Sequence, residues 1–213
     1  MFLMENNSKL FGICGSSGSG KSFIVKYVLE NLGSDNVSVI YQDNYYKKRE
    51  EQTKDANGNY NFDLPSSFYL DEFIYDLKKI KNGEKVEREE YTFNNPDISP
   101  KIISVFPKKI ILVEGLFLFN NKEIVSLLDR SIFIDCDIDK MIERRIKRDH
   151  KIRGYDKSDV IYKYENHVLP AYNNFILPHK ETVDKIINND FDNSTGPEST
   201  LNYIIEESRV NNY

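Results

Sequence analysis

The chain has 213 residues, enough for one α/β domain with a small insertion and a substantial buried core. Its net charge of −5 and pI near 5.4 argue against nucleic acid or an anionic membrane as a partner. No apolar stretch is long enough to span a membrane, and the N-terminus lacks the basic and apolar regions of a signal peptide. The two cysteines, Cys14 and Cys136, lie in apolar runs, which predicts buried, reduced thiols in a cytoplasmic protein.

Apolar runs alternate with helical patterns along the chain. The predicted strands are 9–14, 37–42, 109–113, 131–136 and 183–187. The predicted helices are 22–32, 67–81, 121–128, 138–150, 157–167 and 197–208. Strands separated by helices form βαβ units, so we predict an α/β fold in which helices flank a parallel sheet.

Three segments interrupt this alternation. Residues 84–107 contain two strand-like stretches around a turn, which predicts a β-hairpin inserted before the central strand. Residues 44–63 are polar and rich in turn residues, which is typical of a mobile loop. Residues 190–213 form a polar C-terminal tail, and we expect one domain over 1–213.

The most informative stretch follows the first predicted strand and begins the first predicted helix. It fits the pattern G-x-x-x-x-G-K-[ST] through Gly15, Ser16, Ser17, Gly18, Ser19, Gly20, Lys21 and Ser22. Glycines let successive backbone N–H groups point at an anion, and the helix start adds unpaired donors. Lys21 is then expected to reach the β- and γ-phosphates, and Ser22 to hold Mg²⁺. The sequence therefore predicts a P-loop NTPase-type fold that binds a nucleoside triphosphate.

Two acidic residues follow predicted strands. Asp43 comes after the second strand and Glu114 after the apolar strand 109–113. Ligands of open parallel sheets bind outside the carboxyl ends of the strands, so both carboxylates are candidates for the phosphate site. Asp43 suits a general base or a metal ligand, and Glu114 suits a Mg²⁺ ligand. A turn-initiating aspartate and a solvated strand end are the alternative interpretations.

A basic cluster occupies the helix predicted at 138–150 and the residues after it. Arg145, Arg148 and Arg153 belong to this cluster, and Gly154 permits a hinge. Arginine keeps its charge and grips phosphate with a fork of donors. We predict a lid over about 138–156 that closes on the triphosphate; a solvated basic helix face is the alternative.

Together these residues resemble the uridine kinases (uridine–cytidine kinases) of the phosphoribulokinase/uridine kinase group over roughly residues 10–190. The matching stretches are Gly15 to Ser22, Tyr41-Gln42-Asp43 with Tyr45-Tyr46, Asn61-Phe62-Asp63, Tyr91-x-Phe93, Val113-Glu114-Gly115, Arg144-Arg145-Ile146-x-Arg148-Asp149 with Arg153-Gly154, and Phe175-Ile176-x-Pro178-x-Lys180 with Asp184-x-Ile186-Ile187. The order and spacing of these motifs are more specific than the phosphate loop alone.

The resemblance implies transfer of phosphate from ATP or GTP, with Mg²⁺, to the 5′-hydroxyl of uridine or cytidine in pyrimidine salvage. It implies that Asp43 is the general base and that Ser22, Glu114 and Asp43 hold the metal. It also implies phosphate binding by Lys21, Arg145, Arg148 and Arg153. Asp63 is expected to bind the ribose hydroxyls. The residues expected to surround the base are Tyr46, Phe62, Tyr91, Phe93 and Leu116. The resemblance further implies a homo-oligomer, often a tetramer.

Several positions depart from the family pattern. Pro96 and Ile98 stand where the hairpin usually carries His and Arg, Tyr155 replaces a lid Arg, and Lys163 replaces Gln. Proline cannot make the hydrogen bond that histidine makes, so recognition of the base is expected to differ. A kinase of another small alcohol, such as another nucleoside, pantothenate or a sugar phosphate, therefore stays open. So does a nucleotide-binding protein without catalysis.

Overall fold

The computed structural model describes residues 8–93, 95, 97–153, 155–190 and 193–209. The strands of the described residues are β1 (Lys9–Cys14), β2 (Val37–Tyr41), β3 (Val86–Glu89), β4 (Ile102–Val105), β5 (Ile110–Gly115), β6 (Arg130–Asp135) and β7 (Lys185–Asn188). The α-helices of the described residues are α1 (Lys21–Leu32), α2 (Leu70–Lys81), α3 (Lys122–Leu127), α4 (Ile138–Arg153), α5 (Lys157–Lys163), α6 (Leu169–Ala171) and α7 (Thr195–Arg209). Two π-helical turns, Tyr164–Val168 and Tyr172–Ile176, flank α6.

The main sheet has five parallel strands in the order β2-β5-β1-β6-β7. The two strands at its centre, β1 and β5, pair over their whole length, from Lys9 opposite Ile110 to Cys14 opposite Gly115. Every residue of β5 is buried, because helices cover both faces of the sheet. The sheet confirms the α/β prediction, and it brings the carboxyl ends of β1, β2 and β5 together at one edge.

Two apolar layers make up the core, one on each face of the sheet. On one face, Ile24 and Val28 of α1 and Ile204 of α7 are fully buried. On the other face, Phe73 and Leu77 of α2 are fully buried. Cys14 and Cys136 are buried and free, as predicted, and burial raises the pKa of each thiol to about 11. No helix in the described ranges is both long and apolar enough to cross a bilayer.

The predicted hairpin insertion is present. β3 and β4 pair antiparallel, from Val86 opposite Val105 to Glu89 opposite Ile102. The predicted lid helix is α4, and the predicted C-terminal helix is α7, which packs on α1. Residues 44–63 contain the 3-10 turn Arg49–Glu51, the end of the 3-10 turn Gln42–Tyr45, and an isolated bridge between Lys54 and Tyr60.

Candidate functional site

A cavity of about 750 Å³ lies at the carboxyl edge of the parallel sheet. It is lined by most of the residues that the sequence predicted for the site. These are Ser17, Gly18, Gly20, Lys21, Ser22, Asp43, Tyr46, Phe62, Asp63, Tyr91, Phe93, Glu114, Leu116, Arg145 and Arg148. The cavity is therefore shared by the predicted phosphate, metal and acceptor groups, which come from distant parts of the chain.

The loop between β1 and α1 needs glycine at two positions. Gly18 and Gly20 have φ angles of 88° and 97°, in the left-handed region that other residues resist. A Cβ atom at Gly18 would collide with the carbonyl oxygen of Met141 in α4, and one at Gly20 would collide with the side chain of Asn189. The loop is consequently packed between the lid helix and the segment after β7.

Lys21 and Ser22 connect this loop to the end of β5. The Lys21 ammonium donates to the carbonyls of Gly15 and Ser16 at 2.9 and 3.1 Å, and lies 3.8 Å from Glu114 Oε1. The Ser22 hydroxyl donates to Glu114 Oε2 at 3.4 Å. These contacts place the lysine, the hydroxyl and the carboxylate within a few ångströms, as binding of a metal–triphosphate requires.

The buried hydroxyls of Ser16 and Ser19 have no hydrogen-bond partner within the described residues. Buried polar atoms without a partner are uncommon, and an anion accepting from them would satisfy both. The Ser16 and Ser19 hydroxyls therefore suit the phosphates of a nucleotide.

Glu114 has a pKa raised from 4.5 to about 7. Burial is the main cause, the charge of Asp43 adds to it, and Lys21 opposes it. A buried carboxylate near a second carboxylate and a hydroxyl offers the hard oxygen ligands that Mg²⁺ prefers. The donor set of Ser22, Glu114 and Asp43 thus fits a magnesium ion, whose charge would favour the ionised form of Glu114.

Asp43 lies in the 3-10 turn Gln42–Tyr45 that follows β2. The preceding Gln42 is fully buried, and its side-chain oxygen accepts from the backbone N–H groups of Leu116 and Phe117, both at 3.0 Å. Asn44 accepts from the N–H of Tyr91 at 3.0 Å. Asp43 is therefore held between two residues that connect its turn to β5 and to the hairpin.

Aromatic rings form one wall of the cavity. The ring centroid of Tyr91 lies 4.9 Å from that of Tyr46 and 5.1 Å from that of Phe93, and Phe62 lies 6.0 Å from Tyr46. Burial, followed by the charges of Asp43 and Asp63, raises the pKa of Tyr46 well above its usual value. Flat apolar surfaces of this kind suit a planar base, and Leu116 completes the lining.

The lid arginines make contacts with acidic residues. Arg145 lies 3.6 Å from Asp63 Oδ1 and 3.3 Å from Asp149 Oδ2. Arg148 contacts Asp149 at 2.8 Å and also lines the cavity. The side chain of Arg153 and the predicted hinge at Gly154 lie outside the described residues.

The departures from the family pattern fall in different places. Tyr155 and Lys163 line the cavity, and the Lys163 ammonium lies 2.8 Å from Asp159 and 4.8 Å from the centre of the Tyr155 ring. Ile98 is 49% exposed in the hairpin turn region, and Pro96 lies outside the described residues. The Lys163 ammonium therefore has a carboxylate partner one helical turn away, in a pair that is partly exposed.

Comparisons with known proteins agree with this geometry. Residues 10–195 match the Phosphoribulokinase / Uridine kinase family. The chain belongs to this family. The uridine kinase of Staphylococcus haemolyticus is 39% identical over 85% of this chain and 87% of its own length, and that of Staphylococcus carnosus is 40% identical over 85% and 88%. The phosphoribulokinase of Rhodobacter spheroides has the same fold, with a TM-score of 0.61 and 18% identity over 86% of this chain and 70% of its own.

The family resemblance inferred from short motifs is thus confirmed, as is the P-loop α/β fold. Sequence reasoning nevertheless missed Asn189, which is buried after β7 and donates from Nδ2 to the carbonyl of Ser19 at 2.7 Å. Its backbone oxygen accepts from Arg144 at 2.9 Å. Asn189 follows a parallel strand, so the rule that led to Asp43 and Glu114 could have found it.

His167 is the second residue that the sequence analysis did not single out. The chain has three histidines, His150, His167 and His179, and their spacing suggests no metal site. His167 is buried at 2% exposure, lines the cavity and contacts Asp55. No periodic or motif signal in the sequence pairs these two residues.

Proposed function

We propose that this chain transfers the γ-phosphoryl group of Mg·ATP to the 5′-hydroxyl of uridine or cytidine, giving the nucleoside monophosphate of pyrimidine salvage. The observation that supports this most is the single cavity that joins a phosphate loop, a carboxylate at a strand end and an aromatic pocket. The curated relatives named above are uridine kinases, and the alignment covers most of both chains.

Asp43 acts as the general base in this proposal. Its carboxylate lines the cavity, and its charge acts both on Glu114 and on Tyr46 of the aromatic wall, so it is a candidate to meet an acceptor hydroxyl. It accepts the proton of the 5′-hydroxyl as the oxygen attacks phosphorus, and the bond from phosphorus to the leaving oxygen of ADP breaks in line. The bonds made by Gln42 and Asn44 orient the turn that carries Asp43.

The phosphate loop, Gly15 to Ser22, binds the donor, and Lys21 contacts the β- and γ-phosphates. Ser22, Glu114 and Asp43 would hold Mg²⁺, which supplies charge neutralisation at the phosphates. Arg145, Arg148 and Arg153 of the lid add positive charge where the transferred phosphoryl group carries its negative charge. GTP uses the same phosphate contacts, so ATP and GTP are both candidate donors.

The aromatic wall and Asp63 bind the acceptor. Tyr46, Phe62, Tyr91, Phe93 and Leu116 enclose the base, and Asp63 accepts hydrogen bonds from the ribose hydroxyls. Flat aromatic surfaces hold a planar base through stacking and burial, and the carboxylate distinguishes ribose from an acceptor without vicinal hydroxyls.

The decisive experiment incubates the chain with Mg·ATP and a mixed pool of nucleosides and identifies products by mass spectrometry. We expect uridine or cytidine monophosphate, formed in proportion to the ADP released. A monophosphate of a different nucleoside would contradict pyrimidine specificity and direct attention to Tyr155 and Lys163. No phosphorylated nucleoside, with ATP binding retained, would contradict the kinase assignment and favour another alcohol or a role in nucleotide binding alone.

Assembly and location are part of the same proposal. We expect a homo-oligomer, a tetramer as in the resembling family, that works in the cytoplasm. The exposed apolar side chains of the hairpin support self-association, since Ile102 is 69% and Phe106 55% exposed. Sedimentation at several protein concentrations tests this, and a monomer at all of them would contradict it.

A further inference from the structure

One carboxylate connects the segment 53–61 to the helical run after the lid. Asp55 Oδ2 accepts hydrogen bonds from His167 Nε2 and from the hydroxyl of Tyr162, each at 2.8 Å. Its Oδ1 accepts from the backbone N–H groups of Asn57 and Asn59, each at 2.9 Å. Two groups from the segment and two from the helical run therefore meet at a single side chain.

Asp55 is held in its ionised form by these donors. Burial opposes ionisation, but the hydrogen bonds from His167, Asn59 and Tyr162 together hold the pKa of Asp55 well below its usual value. An ionised carboxylate is a pure acceptor, so His167 carries its hydrogen on Nε2 and donates it. Charge-assisted hydrogen bonds of this kind are stronger than those between neutral groups and fix orientation more firmly.

The segment held by Asp55 leads into the acceptor wall. Asn61 N–H donates to Thr53 O at 2.7 Å, which closes the segment on itself, and the next residues are Phe62 and Asp63. Tyr60, Phe62 and Asp63 all line the cavity. An anchor at Asp55 thus fixes the direction in which the chain enters the acceptor side of the site.

The helical side of the contact also faces the cavity. His167 lines it at 2% exposure and belongs to the π-helical turn Tyr164–Val168. A π-turn costs regular helical hydrogen bonding and occurs often at functional sites. The turn follows α5 directly, and α5 carries the cavity residue Lys163.

We propose that His167 and Asp55 are a positioning pair for the nucleoside acceptor. Their hydrogen bond fixes the segment 53–61, and through it Phe62 and Asp63, against the helical run that follows the lid. The pair touches neither reacting atom; it acts through the acceptor wall. This inference rests on the proposed nucleoside kinase function.

Steady-state kinetics of the full chain with two substitutions of His167 test the pair of His167 and Asp55. His167→Leu keeps the bulk but loses the donor, whereas the amide nitrogen of His167→Gln can still donate to Asp55. We expect His167→Leu to raise KM for the nucleoside on the order of tenfold, with KM for ATP unchanged. We expect the KM of His167→Gln for the nucleoside to lie much closer to the wild-type value than that of His167→Leu. His179→Leu makes the same change outside the cavity lining and is expected to match the wild type.

The split between the two KM values separates positioning from general destabilisation. A purely structural role lowers the active fraction, which reduces kcat and leaves both KM values unchanged. Unchanged nucleoside KM in a folded His167→Leu variant would overturn the proposal. If thermal unfolding shows that His167→Leu does not fold, Asp55→Ala takes its place, and a wild-type nucleoside KM in that variant would equally overturn it.

A wild-type chain that phosphorylates no nucleoside would contradict the proposed function, and with it this inference. If the wild type phosphorylates nucleosides and the His167→Leu and Asp55→Ala variants keep its KM for the nucleoside, only the positioning pair is contradicted. The two failures are therefore distinguished by the wild-type reaction.

Discussion

Arg145 Nη1 lies 3.6 Å from Asp63 Oδ1, so an arginine of α4 forms an ion pair with a carboxylate that lines the same cavity. Both side chains are largely buried, and Arg145 also contacts Asp149 in its own helix. In the proposed function, a ribose hydroxyl that donates to Asp63 competes with this pair. We therefore expect acceptor binding to change the position of Arg145, which is expected to serve the transferred phosphoryl group.

The first prediction concerns this pair. Asp63→Asn removes the charge that holds Arg145 and weakens the expected hydrogen bonds to ribose. Bonds to a charged group contribute about 1.5–3 kcal/mol, so kcat/KM for the nucleoside should fall roughly tenfold to a hundredfold. Affinity for ATP should change little. Steady-state kinetics with ribonucleosides and 2′-deoxynucleosides check this, and equal losses for both acceptors would argue against contact with the 2′-hydroxyl.

The second prediction tests the general base. Asp43→Asn keeps the size of the side chain but cannot take a proton, so phosphoryl transfer should fall by about 10²–10⁴-fold. Nucleotide binding should be retained, because Lys21 and the loop are untouched. Product formation and ATP binding are measured on the same preparation. Near-normal turnover would remove Asp43 from the role of base.

The third prediction follows from Glu114, whose pKa is raised from 4.5 to about 7, chiefly by burial. The folded protein keeps this proton across that range while the unfolded chain releases it, so the contribution of Glu114 to stability falls as pH rises between the two values. Glu114→Gln resembles the protonated form at every pH. It should gain stability relative to the wild type as the pH rises from 4.5 to about 7, and no further above that.

Thermal unfolding across this pH range without nucleotide checks the Glu114 prediction. Glu30→Gln is the matched control, because it makes the same exchange of atoms at a side chain that is 62% exposed and lies outside the cavity lining. A stability difference for Glu114→Gln that does not change with pH would contradict the raised pKa of Glu114. Glu114→Gln should also lose the effect of Mg²⁺ on ATP binding, since an amide is a weaker metal ligand than a carboxylate.

The fourth prediction concerns Asn189, which braces the phosphate loop through the carbonyl of Ser19 at 2.7 Å. Asn189→Ala removes this bond and leaves a buried carbonyl without its partner. We expect KM for ATP to rise about tenfold while KM for the nucleoside stays unchanged. Asn188→Ala is the control, since the exposed Asn188 side chain bonds to Asp190 and, among the described residues, not to the phosphate loop. Equal effects of both variants would contradict a specific brace.

Much of the fold could be predicted because its signals are local. Apolar runs such as β5 mark buried parallel strands, and the Gly-rich loop between β1 and α1 has a pattern tied to its backbone angles. Asp43 and Glu114 could be placed at one edge of the sheet because each lies near the carboxyl end of a strand, and parallel strands end at the same edge. The hairpin was visible as a break in the alternation of strands and helices.

The fold, the family and the residues of the family's motifs could therefore be inferred from the sequence. The contacts of Arg145 with Asp63, of Asn189 with Ser19, and of His167 with Asp55, 112 positions apart, could not. Such contacts depend on packing between elements far apart in the chain, which leaves no local pattern in the residues that make them.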